Sequence, residues 1–89
     1  MTLQECFYSM FIGKRVKLFK DPMFANLRHK VILDGTTFVT EATIHEIDLC
    51  NYYPYNDVNA KSYMSVTFMD DNGELYFGDV YENTDIQFV

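Results

Sequence analysis

The spacing of hydrophobic and polar positions changes after the first dozen residues. Leu3, Phe7, Met10 and Phe11 recur at three- and four-residue intervals, forming the single apolar stripe of a helix. Thr2-Leu3-Gln4-Glu5 has the T-x-x-E spacing of a capping box, and Gly13 stands where a left-handed C-terminal cap is wanted. A helix of about ten residues does not persist alone in water, so its stripe must dock on the rest of the chain. From Lys14 onward the period is two. Val16 and Leu18 alternate with Arg15, Lys17 and Phe19 as in a strand with one wet face, and Asp21-Pro22 ends it. Residues 23–28 are ambiguous between a helical turn and a loop. Val31-Ile32-Leu33 then runs into Asp34-Gly35, a tight-turn dipeptide.

Residues 36–49 are rich in Thr, Val and Ile but change phase. Ala42 and Ile44 share one parity and Ile47 and Leu49 the other, which calls for a bulge near His45-Glu46. The Asn-rich residues 50–61 read as a loop. Residues 63–69 read as a strand with Met64, Val66 and Phe68 on one face. Asn72-Gly73 is the preferred pair for a two-residue type I′ hairpin, a turn that sets Phe68 opposite Phe77 and carries Leu75 and Phe77 on the inner face. After a turn at Asn83-Thr84, Ile86 and Phe88 finish in a short last strand. The expected fold is α+β, mainly β: a short N-terminal helix packed on a five- to six-stranded antiparallel, strongly bent sheet or small SH3-like barrel. The likeness to such barrels is one of architecture and length.

Composition keeps this picture to one body. Eighty-nine residues without repeat, linker or low-complexity tract read as a single domain, 1–89, that buries about 60–65% of its unfolded surface. Eight Phe and seven Tyr supply large buried areas despite the absence of Trp. The first residues show no basic stretch ahead of an apolar run, so a secretory leader is not expected. No segment approaches a membrane span, and Cys6 and Cys50 read as ordinary reduced thiols of a cytoplasmic protein.

Charge changes the picture more. Residues 1–30 hold six cations (Lys14, Arg15, Lys17, Lys20, Arg28, Lys30) and two acids, a balance of +4. Residues 31–89 hold eleven acids and only Lys61, a balance of −10, for a total of −6. This asymmetry predicts two oppositely charged faces or ends of one small body.

Chemistry-bearing motifs are scarce. The two His and two Cys show no zinc spacing, and Asp70-Asp71-Asn72-Gly73-Glu74 has Gly and Glu at the wrong places for a calcium loop. No glycine-rich phosphate loop is present, and His45-Glu46 is a pair any chain of this length offers by chance. No enzyme activity, metal or cofactor is therefore expected. The acids Asp70, Asp71, Glu74, Asp79 and Glu82 and the loop tyrosines Tyr52, Tyr53 and Tyr55 are the candidate partner-binding residues. Clustered carboxylates on a rigid sheet can imitate a row of phosphates, and tyrosines supply amphipathic contact area. The expected function is a non-enzymatic protein-interaction module. Its sharper form is an acidic inhibitor that blocks the nucleic-acid-binding groove of a partner protein. Small acidic phage-encoded inhibitors, anti-CRISPR proteins among them, act in that way, an analogy resting on size, acidity and lack of catalytic motif. The alternative is a small β-barrel that binds single-stranded nucleic acid through Lys14, Arg15, Lys17 and Phe19. A third reading is a homodimer in which the basic segment of one copy docks on the acidic segment of another.

Overall fold

The computed structural model describes residues 9–52, 61–81 and 84–89, with side chains described over 9–48, 64–81 and 84–89. Residues 9–11 are helical, and the chain leaves them through Gly13 at φ +87°, as the cap position requires. The rest of the expected helix, with its capping box, lies outside the described residues. The Gly13 amide donates to the Ile44 carbonyl at 2.9 Å and the Ile44 amide to the Lys14 carbonyl at 2.9 Å, which fastens this corner to the sheet.

Five strands follow: β1 (Arg15–Lys20), β2 (Val31–Ile32), β3 (Phe38–Tyr52), β4 (Lys61–Met69) and β5 (Leu75–Tyr81). Between β1 and β2, Asp21 caps a 3-10 turn over Pro22–Phe24 by accepting the Met23 amide at 3.0 Å. The sheet order is β2-β1-β3-β4-β5 with antiparallel pairing. β2 pairs with β1, Phe19 opposite Ile32, and not with β3. Residues 33–37 therefore make a wide bend in place of the tight hairpin expected at Asp34-Gly35, because both edges of β1 need partners. The sheet then nearly closes on itself. Lys30 and Phe77 bridge β2's end to β5 in parallel, with the Phe77 amide donating to the His29 carbonyl at 2.8 Å. Residues 84–89 return along the other half of β1, placing Val16 opposite Phe88, with the Lys17 amide on Gln87 and the Val89 amide on Arg15, both at 3.0 Å. The result is a mainly β chain of five antiparallel strands in a nearly closed, barrel-like sheet.

The expected phase change in β3 is present as a register shift between Ile44 and Glu46. It lets Ile44 and Ile47 both reach the core, 4% and 1% exposed. The hairpin corrects the sequence reading. Asp70 and Glu74 face each other, the Asp70 amide donating to Glu74 at 3.0 Å, so the loop is the three residues Asp71-Asn72-Gly73 with Gly73 at φ +82°. The Asp70 carboxylate holds this longer loop by accepting the amides of Asn72 and Glu74, each at 2.9 Å. One extra loop residue shifts the register by one and reverses every side chain after it. Phe68 therefore faces Tyr76, not Phe77. Tyr76 and Val80 enter the core beside Gly78, while Leu75 and Phe77, expected inside, point out.

Phe68, Leu18, Ile47, Val16 and Val31 are fully buried, with Phe11, Met64 and Ile86 packed against them. Each such side chain contributes about 1.5–3 kcal/mol by leaving water.

Candidate protein-interaction face

The basic and acidic segments meet in the fold. Thr43 stands between Arg15 of β1 and Met69 of β4 in one cross-strand row, so the Arg15 side chain lies within reach of the β4–β5 hairpin. Its guanidinium forks onto Asp71 at 2.9 and 3.1 Å and places Nε on Glu41 at 3.2 Å. On the closing side of the sheet, Arg28 donates to both oxygens of Glu74 at 3.0 and 3.2 Å, and Lys30 lies 3.5 Å from Asp79. Three of the six early cations are thus engaged by the acids thought to form the opposite face. The charge asymmetry of the sequence is folded against itself, which corrects the expectation of two opposed faces. Sequence distance hid this: 56 residues separate Arg15 from Asp71 and 46 separate Arg28 from Glu74.

These contacts set the local protonation. Hydrogen bonds to Asp71 and Glu41 hold the Arg15 guanidinium protonated well above its ordinary range. The hydrogen bond from Arg15, and then its charge, lowers the Asp71 carboxyl below its ordinary 3.8. Burial pushes the Tyr76 hydroxyl above its usual 10, helped by its 3.1 Å hydrogen bond to Glu74 and by the charges of Glu74 and Asp70. Because the Asp71 value is depressed in the folded chain, its stabilisation is complete above 3.8 and disappears as pH falls through the lower folded value. Asp71→Asn should therefore unfold at a lower urea concentration than wild type near neutral pH, and the two midpoints should converge as pH falls from 3.8 through the lower folded value. A gap that stays constant across that range would refute the coupling.

The outer surface of β3, β4 and β5 has a different character. Leu75, Phe77 and Tyr81 lie along the outer side of β5 and are 39%, 50% and 44% exposed, although the inner side of the same strand is already core. Asp79 interrupts them. Phe77 lines a shallow hollow with Leu27, Arg28, His29 and Lys30. In register beside β5 come Met69, Thr67 and Ser65 of β4, and beyond them Thr43, Glu46 and Asp48 of β3. Glu46 and Asp48 are exposed.

The residues singled out from the sequence fall in several places. Asp70, Asp71, Glu74 and Asp79 do gather around the hairpin and the closing side of the sheet, each engaged as described. Tyr52 ends β3 opposite Lys61, at the far end of β4 from the hairpin. Eight residue steps along β4 make that separation roughly 25 Å. Tyr53, Tyr55 and Glu82 lie outside the described residues. Of the alternative set, Lys14 is exposed and Lys17 half-buried opposite Glu41. Phe19 is buried, its ring edge-on to Phe38 at a centroid distance of 6.1 Å, after a register shift between Leu18 and Phe19. The sequence reading missed Leu75 and Phe77 as surface residues. The available signal was the near-continuous apolar run Leu75-Tyr76-Phe77-Gly78-Asp79-Val80-Tyr81, which is more than one buried face requires.

No family model, curated protein or solved structure matches this chain. Among the described residues, no helix is long and apolar enough to cross a membrane, and no three His, Cys, Asp or Glu are grouped to hold a metal ion.

Proposed function

We propose that this chain is a non-enzymatic protein-interaction module that engages a partner protein through the outer face of β4 and β5. One observation carries this reading: β5 is apolar on both sides, and only its inner side is covered by the core. A large apolar side chain gains by leaving water, and aromatic and aliphatic groups ringed by charge form the centre of protein interfaces. Arg28, Lys30, Glu74 and Asp79 supply the charged rim. The sharper form, an acidic inhibitor seated in a nucleic-acid-binding groove, draws less support from the geometry. Its carboxylates at Asp71, Glu74 and Asp79 already hold arginine or lysine partners, whereas phosphate mimicry needs them available. The finer fold reading, a small SH3-like barrel, belongs to the same proposal and is supported by the return of residues 84–89 to β1 after the β3-β4-β5 meander. The cytoplasmic setting belongs to the same proposal and is drawn from the sequence alone.

The test is affinity capture from the source cells with wild type and with Leu75→Ser/Phe77→Ser as a matched bait. Both residues point outward, so the double variant should melt close to wild type, within about 0.5 kcal/mol per site. Its affinity for the captured partner should fall about 100-fold, the loss expected of two central apolar anchors. Equal capture by both baits would remove this face from consideration.

A further inference from the structure

We infer that the partner reaches this face with an acidic peptide segment, an aromatic side chain closely followed by a carboxylate, seated in the hollow between Phe77 and residues 27–30; the inference rests on the interaction reading above. Leu27, Arg28, His29, Lys30 and Phe77 line a hollow of about 300 Å³ where β5 meets the strap that closes the sheet. Leu27 and Phe77, 57% and 50% exposed, are its apolar walls. The volume is at the low end for ligand pockets, so it suits one large side chain and not a whole element. An aromatic anchor fits best. Phe77 offers a ring for edge or offset contact, and Arg28 and Lys30 offer cations to a ring face. Lys30 already stands 5.6 Å from the centre of the Phe24 ring in this way.

Charge decides what accompanies the anchor. Arg28, His29 and Lys30 all line the hollow, and no carboxylate among the described residues does. Glu74 and Asp79 are the partners of these bases: His29 Nε2 lies 3.8 Å from Glu74 and Lys30 Nζ 3.5 Å from Asp79. The Arg28 side chain is 74% exposed. Among the described residues it places only Nη2 on an acceptor, the two Glu74 oxygens, which leaves the donors on Nε and Nη1 to water. A partner that covers the hollow takes these donors out of water, and leaving them unmatched would oppose binding. A carboxylate matches a guanidinium with two parallel hydrogen bonds, whereas a Lys or Arg in its place is repelled. Nucleic acid also carries acceptors, but as a polyanion it meets the net charge of −6 on the whole chain. A single carboxylate meets chiefly Arg28, because exposed charges beyond about 8 Å are screened at physiological salt.

Short synthetic Gly-Ser peptides test this by NMR titration of the full chain: one with Phe-Gly-Glu at its centre, one with Phe-Gly-Lys and one with Ala-Gly-Glu, beside a single-stranded oligonucleotide. The Phe-Gly-Glu peptide should shift the amides of His29 and Phe77 saturably and bind about tenfold tighter than either of the other peptides. Phe77→Ser should weaken it at least about tenfold. Arg28→Glu should make the Phe-Gly-Lys peptide the better ligand. Arg28→Lys keeps the charge but loses the fork, so it should weaken the Phe-Gly-Glu peptide only in part, with melting temperature checking the fold of each variant. Equal binding of the three peptides, no saturable shift with any of them, tighter binding of the oligonucleotide, an unchanged order in Arg28→Glu, or a dimer of the chain through this hollow would each overturn the acidic-segment assignment. Should that happen while the Leu75→Ser/Phe77→Ser bait still loses its partner, the interaction reading stands and only the acidic occupant is lost.

Discussion

Phe68→Ala should lower the stability of this protein by about 3–5 kcal/mol, the usual range for emptying a fully buried phenylalanine site. Phe68 is 0% exposed and sits on β4, between β3 and β5, where it faces Ile44 on one side and Tyr76 on the other. A rigid closed sheet cannot collapse into the space the ring leaves, so the cavity cost adds to the lost transfer energy. Total stability of a domain this size is about 5–15 kcal/mol, so the variant would sit near the edge of folding. A melting temperature lower by about 15 °C or more is expected by thermal denaturation followed by circular dichroism. A fall of only a few degrees would mean that the ring is not central to the core.

Gly78→Ala is the second large effect, and its sign is informative. In an ordinary strand interior, Ala is the better residue by about 0.5–1 kcal/mol because glycine loses more backbone freedom on folding. Here a Cβ on residue 78 would stand 2.6 Å from the Val31 carbonyl oxygen and 3.4 Å from the Phe68 ring. The obstacle at Val31 is backbone, not a flexible side-chain tip, so β2 and β5 must move apart. The expected cost is about 1–3 kcal/mol, as for other overpacked positions. The Phe77 amide, which bonds the His29 carbonyl at 2.8 Å across the closure, should exchange faster with solvent than in wild type. A variant as stable as wild type, or more so, would show that the closure is loose and that the outer position of Phe77 is not held by it.

Much of the fold was legible in residue spacing. The strand over Val16 and Leu18, the inner face of Met64, Val66 and Phe68, the bulge beside His45-Glu46 and the cap at Gly13 all follow from local rules of period and backbone conformation. The hairpin shows where such rules stop. Asn72-Gly73 signals a turn, but its length depends on whether Asp70 captures the amides of Asn72 and Glu74, a contact no dipeptide preference encodes. That one residue decided the surface: Leu75 and Phe77 moved from core to exterior and Tyr76 and Val80 took their place. Phe19 is buried without joining the core cluster, because a register shift within the β1–β3 pairing sets it against Phe38.

The charges divide in the same way. By itself, the chain determined a mainly β body with one aromatic-rich core, an excess of acid and no recognisable catalytic motif, because composition and period act over a few residues at a time. Only the tertiary structure decided which charges meet and which apolar residues remain outside. Pairing Arg15 with Asp71, Arg28 with Glu74 and Lys30 with Asp79 depends on strand order and closure, contacts between residues about fifty positions apart. Chain closure brings them together through hydrogen bonding of the sheet, which carries no trace in local sequence. The same closure covers the inner side of β5 and leaves the outer side, with Phe77 at its middle, exposed to solvent.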